Sequence, residues 1–220
     1  MNLPVKGFIF DLNGTMIDDM QYHINAWYHL LNDELGANLD YNQVKSQMYG
    51  KNEELLVRVF GKGYFTKQEM DRLSLEKEKR YQKDYQPKLA LIKGLPELLE
   101  KAHQKNILMA IGSAAIPFNI DFVLDNLHIR QYFKAIVSAE NVRKSKPDPE
   151  TYMKAASLLQ LSTADCLVFE DAPKGVESAL NAGMKCLVIT TMHKREEFSA
   201  YSNILSFIQD YTDPQLLQFF

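Results

Sequence analysis

The sequence is poor in the features that mark several classes of protein. It has two cysteines in 220 residues, Cys166 and Cys186, and both lie in apolar stretches without the spacing of metal ligands. We therefore expect reduced core cysteines rather than a disulfide framework or a zinc site. No apolar run approaches the length that crosses a membrane, and the N-terminus lacks the pattern of a signal peptide. These absences predict a cytoplasmic protein.

An excess of charge of one sign is also missing. The 25 basic and 28 acidic residues leave a formal net charge of −3, and no basic patch is interleaved with aromatic residues. The sequence therefore gives no electrostatic basis for binding nucleic acid or an anionic membrane. Its apolar fraction of 46% and its length suit a folded α/β domain with a small insertion. We expect a monomer.

Apolar runs alternate with helical patterns along most of the chain. The predicted strands are residues 7–10, 106–111, 135–138, 166–169 and 186–190. The helices between them are predicted over residues 95–104, 117–126, 148–160 and 174–182. This order favours right-handed βαβ crossovers and a parallel sheet that is covered on both faces.

The segment after the first strand has a different pattern. It shows helical spacing without a convincing strand, and helices are predicted over residues 22–35, 41–49, 53–60 and 66–85. The predicted fold class is therefore α/β, with a Rossmann-like parallel sheet core and an inserted α-helical cap domain. The core domain comprises residues 1–15 and 88–220, and the cap domain comprises residues 16–87.

Polar residues follow the predicted strands, at the edge where an open parallel sheet binds its ligands. Carboxylates follow the first and fourth strands, a serine follows the second, and a lysine lies in the loop before the helix over 148–160. These residues and their neighbours are Asp11, Asn13, Gly14, Thr15, Ser113, Ala114, Lys146, Glu170 and Asp171. We expect them to converge at one edge of the sheet.

Phosphoryl transfer is the chemistry that needs such a set. Asp11 can attack phosphorus and form an aspartyl-phosphate, which divides one difficult displacement into two easier ones. The carboxylates repel one another, so a hard cation such as Mg²⁺ is needed to gather them. Thr15 and Ser113 can donate hydrogen bonds to phosphate oxygens, and Lys146 adds a positive charge. Each residue taken alone also fits a helix cap, a turn or a surface lysine.

Four of these segments resemble, in chain order, the motifs of the haloacid dehalogenase (HAD) phosphohydrolases. The segment from Asp11 to Thr15 is similar to their Asp-x-Asp-Gly-Thr signature, and the helical insertion is typical of the β-phosphoglucomutase-like subgroup. The resemblance implies a Mg²⁺-dependent phosphomonoester hydrolase of small phosphorylated metabolites, with sugar phosphates expected. It also implies a role for each motif residue. Asp11 is the nucleophile, Thr15, Ser113, Ala114 and Lys146 bind phosphate, Asp11, Asp171 and the carbonyl of Asn13 bind metal, and Glu170 positions a metal-bound water.

Position 13 departs from the family, whose hydrolytic members usually carry an acid/base Asp there. Asn13 keeps the shape of Asp, but its amide cannot exchange protons at pH 7. Activity is therefore expected to fall by about 10²–10⁴. The sequence leaves open whether Asn13 is native or an Asp→Asn change. The alternatives to an impaired phosphatase are a β-phosphoglucomutase-type phosphosugar mutase and a catalytically silent phosphate-binding protein.

Three residues of the insertion are candidates for contacting the substrate. His23 and Trp27 are four apart and share a helix face, in a stretch similar to the first cap helix of the family. Lys51 follows Gly50, where the family's mutases carry an arginine for a distal phosphate. A further Lys-Asn pair of those mutases is replaced here by the apolar segment 115–118. These departures favour a phosphatase over a mutase, and each candidate also fits an ordinary surface or core position.

Overall fold

The computed structural model describes residues 5–220, which divide into two units. The first unit contains the chain up to Asp18 together with Ala90–Phe220, and the second contains Asp19–Leu89. The domain boundaries predicted after residues 15 and 87 lie three and two residues earlier than these divisions.

One sheet forms the centre of the first unit. Within residues 5–220 its strands are β1 (Gly7–Phe10), β2 (Leu108–Gly112), β3 (Ala135–Val137), β4 (Cys166–Glu170), β5 (Lys185–Ile189) and β6 (Ile204–Ile208). They lie in the order β3-β2-β1-β4-β5-β6, and every neighbouring pair is parallel. The predicted Rossmann-like parallel sheet is therefore confirmed.

Helices connect the strands and build the second unit. In the second unit they are α1 (Met20–His29), α2 (Tyr41–Lys45), α3 (Asn52–Phe60) and α4 (Lys67–Tyr85). In the first unit they are α5 (Leu95–Gln104), α6 (Pro117–Asn126), α7 (Glu150–Leu158) and α8 (Pro173–Asn181). Two predicted helices, α5 and α6, have the predicted bounds. Along the described part of the chain, no helix has both the length and the apolar character needed to cross a membrane.

Most of the other predicted bounds differ by one or two residues, and the prediction differs most from the structure at three elements. It omits β6, an edge strand whose residues are mostly half-buried, so the strand lacks the apolar run that reveals its neighbours. The helix predicted over 41–49 ends as α2 at Lys45, four residues early. The helix predicted over 22–35 begins at Met20 and changes at Leu30 into a π-helical turn.

Aromatic packing fixes the two central strands against each other. The rings of Phe10 in β1 and Phe169 in β4 stack with centroids 4.5 Å apart, and Phe8 meets Phe169 edge-on at 5.2 Å. All three side chains are fully buried. Rings of this size bury a large apolar area, and their preferred geometries add to the stability of the pair. This packing sets the ends of β1 and β4, from which the polar residues emerge.

Candidate functional site

The candidate site begins where β1 and β4 end. These strands are neighbours at the point where the strand order reverses, which is where open α/β sheets bind ligands. Phe10 pairs in register with Phe169, so Asp11 and Glu170 emerge side by side. The backbone N–H of Asp11 donates to the carbonyl of Phe169 at 2.9 Å. Asp11, Glu170 and the following Asp171 are 8, 2 and 3% exposed.

Lys146 brings a positive charge into this group of carboxylates. Its Nζ donates to Asp11 Oδ1 and to Glu170 Oε1, both at 2.7 Å. A third bond of 2.7 Å goes to the hydroxyl of Tyr152, so all three ammonium protons have acceptors. Burial alone would lower the pKa of Lys146, but the charges of Asp11 and Glu170 outweigh it and raise that pKa above its usual range. The ammonium is therefore held charged.

Glu170 is bound by protein donors at both oxygens. Oε1 accepts from Lys146 and, at 2.8 Å, from the hydroxyl of Tyr152. Oε2 accepts from the backbone N–H groups of Asp171 and Ala172, both at 2.9 Å. A carboxylate has about four acceptor positions, so these four bonds fill its capacity. Glu170 therefore holds Lys146, Tyr152 and the backbone after β4 in place.

Asp171 packs directly against the turn that follows β1. Its Oδ1 accepts a hydrogen bond of 3.0 Å from the hydroxyl of Thr15. Gly14 has a φ of +74°, and a Cβ at this position would overlap the Asp171 carboxylate. The turn therefore requires glycine for its backbone conformation and for space. Burial, followed by the charges of Glu170 and Asp11, raises the pKa of Asp171 well above its usual value.

Two residues that the sequence analysis missed hold this turn from the C-terminal part of the chain. The hydroxyl of Thr191 donates to the carbonyl of Gly14 at 2.6 Å, and the hydroxyl of Tyr211 donates to the carbonyl of Thr15 at 2.9 Å. Both residues lie far from the turn in sequence and belong to none of the four motifs. Tyr152 was missed as well. A rule that searches only the ends of strands cannot find these partners.

The remaining predicted residues of the core lie at the same edge. Ser113 directly follows β2, the other neighbour of β1, and is buried. Its Oγ accepts from the backbone N–H of Ala115 at 3.0 Å, which leaves the hydroxyl proton to donate. Ala114 beside it is half-buried. Asn13 is half-buried in the turn, where its backbone pairs with that of Ile17.

The donor set fits a magnesium ion in charge and in chemistry. Three carboxylates face one lysine, so a divalent cation would balance the excess negative charge. Among residues 5–220, no three His, Cys, Asp or Glu side chains are arranged to hold a metal by themselves. Mg²⁺ commonly binds through one or two carboxylates and completes its shell with water and phosphate. The carboxylates of Asp11 and Asp171 and the carbonyl of Asn13 supply oxygen donors of this kind.

The three candidates of the second unit have different surroundings. His23, in α1, is buried: its Nδ1 lies 3.0 Å from Lys77 Nζ, and its ring stacks on Tyr81 at 3.8 Å. Trp27 is also buried, with Lys77 Nζ 5.2 Å from its ring. Lys51 directly precedes α3 as its N-cap residue, and its backbone N–H donates to Glu54 Oε2 at 2.9 Å.

His23 and Lys77 belong to a buried polar network within the second unit. Its other members are Asp19, Glu78, Tyr81 and Asn52. Lys77 donates to Glu78 Oε1 at 2.7 Å, and burial lowers the pKa of Lys77. Burial also disfavours the charge of Glu78, but Lys77 and His23 outweigh this and lower the pKa of Glu78 to about 2. The network therefore contains a buried ion pair.

The chain resembles known proteins in sequence and in fold. Residues 8–189 match the haloacid dehalogenase-like hydrolases. The chain belongs to this family. The predicted resemblance to HAD phosphohydrolases of the β-phosphoglucomutase-like subgroup is thus confirmed.

The similar proteins within the haloacid dehalogenase-like family include a mutase and a phosphatase. The chain is 32% identical to β-phosphoglucomutase of Bacillus subtilis over 186 residues, 82% of this chain and 81% of the relative. It is 28% identical to fructose-1-phosphate phosphatase of Escherichia coli over 180 residues, 81% of this chain and 93% of the relative. Its fold is similar to a HAD hydrolase of family IA from Entamoeba histolytica, with a TM-score of 0.86, 25% identity and coverage of 98 and 97%.

Mg²⁺ is expected to stabilise the folded chain through Asp171. A Mg²⁺ concentration of about a hundred times the dissociation constant raises the free energy of unfolding by about 2.7 kcal/mol. The thermal midpoint is therefore higher with Mg²⁺ than with EDTA. Asp171→Asn removes a charged ligand and abolishes this rise. Asp165→Asn, which alters a carboxylate paired with Lys6 at 3.2 Å outside the site, retains it. An equal rise in both variants would contradict the assignment.

The stability of the second unit is expected to depend on the charge of Glu78. Because folding lowers the pKa of Glu78 from 4.5 to about 2, its contribution is present above pH 4.5 and is lost as the pH falls through 2. Glu78→Gln lacks this contribution. In urea denaturation, the parent's free energy of unfolding exceeds that of Glu78→Gln. This difference is expected to be smaller by about 2 kcal/mol at about pH 3 than at about pH 7. Glu76→Gln, at a half-exposed carboxylate on α4, leaves the pH dependence unchanged, and a similar narrowing there would contradict the prediction.

Proposed function

We propose that this chain is a Mg²⁺-dependent phosphomonoester hydrolase of small phosphorylated metabolites, with sugar phosphates as the substrate class. The observation that carries the proposal is the bond of 2.7 Å between Lys146 Nζ and Asp11 Oδ1, beside Glu170 and Asp171 at the carboxyl edge of the sheet. A sugar-phosphate phosphatase among the relatives supports the substrate class. Members of the family generally use Mg²⁺, in line with the donor set.

In the first half of the reaction, Asp11 attacks phosphorus with a carboxylate oxygen. The bond from phosphorus to the leaving oxygen breaks, and its electron pair stays with that oxygen, giving an aspartyl-phosphate. Lys146 orients Asp11 through its bond of 2.7 Å to Oδ1. The hydroxyl of Ser113 can donate to a phosphate oxygen, joined by backbone N–H groups around Ala114. The hydroxyl proton of Thr15 goes to Asp171 Oδ1, so Thr15 contributes to the shape of the turn. Mg²⁺, when bound, would offset negative charge on the phosphate.

Asn13 limits both halves of the cycle. The leaving oxygen has to gain a proton, and the water that hydrolyses the aspartyl-phosphate has to lose one. The family places an Asp at this position for both transfers, and the amide of Asn13 can perform neither at pH 7. We therefore propose that the chain binds its substrate normally and turns it over slowly.

A phosphosugar mutase is the second candidate, because a β-phosphoglucomutase is among the relatives. A mutase has to hold a second phosphate at the far end of its substrate. The segment after Ser113 is apolar, with Phe118 40% exposed, and offers no cation for that phosphate. In the segment Gly50–Lys51, where a mutase of the family carries an arginine, a carboxylate lies beside the lysine, because the backbone N–H of Lys51 donates to Glu54 Oε2 at 2.9 Å. These features favour the phosphatase.

Restoring the acid is expected to restore turnover. Asn13→Asp raises kcat for phosphate release from a panel of sugar phosphates by about 10²–10⁴, the usual contribution of general acid–base catalysis. Adding Asp11→Asn in that background removes the gain, because the nucleophile is lost. Asn126→Asp, the same change on the exposed face of α6, leaves turnover as it was.

Two results would argue against the phosphatase. The absence of any gain in Asn13→Asp would favour a catalytically silent phosphate-binding protein. Isomerised sugar phosphate in place of free phosphate, with glucose 1-phosphate as substrate, would identify a mutase.

A further inference from the structure

Lys146 is held by one partner that lies outside the four motifs. Tyr152, in α7, is fully buried, and its hydroxyl oxygen accepts from Lys146 Nζ at 2.7 Å. The same hydroxyl donates to Glu170 Oε1 at 2.8 Å, and Lys146 also donates to that oxygen at 2.7 Å. The three polar atoms therefore form a closed triangle of hydrogen bonds, which fixes each of them from two directions.

The ring of Tyr152 is held as firmly as its hydroxyl. A Cβ on Gly112, the last residue of β2, would lie 3.1 Å from Cδ1 of the ring, which is tighter than ordinary contact. The ring thus rests directly against the backbone of β2. Lys146 Nζ lies 4.6 Å from the centre of the same ring, within the range of a cation–π contact. The packing of the ring against the β2 backbone and the contacts with the ammonium together fix the position of the hydroxyl.

A lysine ammonium lies at the end of a flexible stem, so it needs fixed hydrogen-bond partners if one N–H is to point at a particular acceptor. Glu170 and Tyr152 take two of the three ammonium protons of Lys146, and the third meets Asp11 Oδ1. We propose that Tyr152 is a positioning residue, which orients Lys146 toward Asp11 and so keeps the ammonium charge beside the phosphate that Asp11 receives. This role rests on the proposed function. A phenylalanine would fill the same space without providing the anchor.

Binding of inorganic phosphate in the presence of Mg²⁺ tests this role without requiring turnover. Isothermal titration calorimetry on the full chain is expected to show about 10-fold weaker binding for Tyr152→Phe, the scale of a lost hydrogen bond to a charged group. The matched control is Tyr132→Phe in the same unit, whose hydroxyl donates to Glu100 Oε2 at 2.9 Å. Its affinity is expected to equal that of the parent. Thermal midpoints of both variants confirm that they are folded.

A double-mutant cycle with Lys146→Met separates positioning from a purely structural role. If Tyr152 acts through Lys146, Tyr152→Phe weakens phosphate binding in the parent and has no further effect once Lys146 is gone. An equal loss in both backgrounds would overturn the proposal. If Lys146→Met does not fold, the role of Tyr152 is tested by turnover in the Asn13→Asp chain. There Tyr152→Phe is expected to lower kcat about 10-fold, and an unchanged kcat would overturn the proposal.

The outcomes distinguish this role from the proposed function. If the parent binds phosphate and Tyr152→Phe binds it with the same affinity, only the proposed role of Tyr152 is overturned. A parent that binds no phosphate in the presence of Mg²⁺ overturns the proposed function, and the role of Tyr152 with it.

Discussion

Three buried carboxylates share one buried lysine at the end of β1 and β4, and the rest of the site depends on this imbalance. Removing charges from water is costly unless each finds a partner. Lys146 satisfies two of the carboxylates directly, with bonds of 2.7 Å to Asp11 and Glu170. The third, Asp171, is left with a hydroxyl and with like charges nearby, which raise its pKa together with burial. The excess negative charge is what the proposed divalent cation would balance, and with it in place a phosphate could approach.

The fold supplies the rigidity that this arrangement needs. The stacked rings of Phe10 and Phe169 fix the ends of the two strands, so the carboxylates cannot move apart to relieve their repulsion. The turn after β1 is held from the far end of the chain by Thr191 and Tyr211. Tyr211 also donates its backbone N–H to the carbonyl of Lys93 at 2.9 Å. The C-terminal segment, much of it beyond the stretch that matches the family, thus helps to shape the turn.

Much of this arrangement could be predicted from sequence because it follows from local rules. Buried parallel strands appear as apolar runs, and ligands lie at their carboxyl ends, so Asp11, Ser113 and the Glu170–Asp171 pair could be found. The edge strand β6 was not predicted because half-buried residues give no such apolar run. The sequence does not reveal three residues whose contacts depend on packing between distant segments, namely Tyr152, Thr191 and Tyr211. His23 could be seen as a candidate, but its buried network with Lys77 requires α1 and α4 to pack together, which spacing along one helix does not reveal.

The central claim is that Asp11 is a nucleophile that receives a phosphoryl group, and mass spectrometry tests it directly. The chain is incubated with Mg²⁺ and acetyl phosphate, whose acetate leaves without needing a proton, and is then quenched in acid. The expected result is a phosphoryl group that maps to Asp11 and persists, because Asn13 cannot activate the water that would remove it. The Asp11→Asn chain is expected to carry none. A phosphoryl group on another residue, or an equal amount on the Asp11→Asn chain, would contradict the claim.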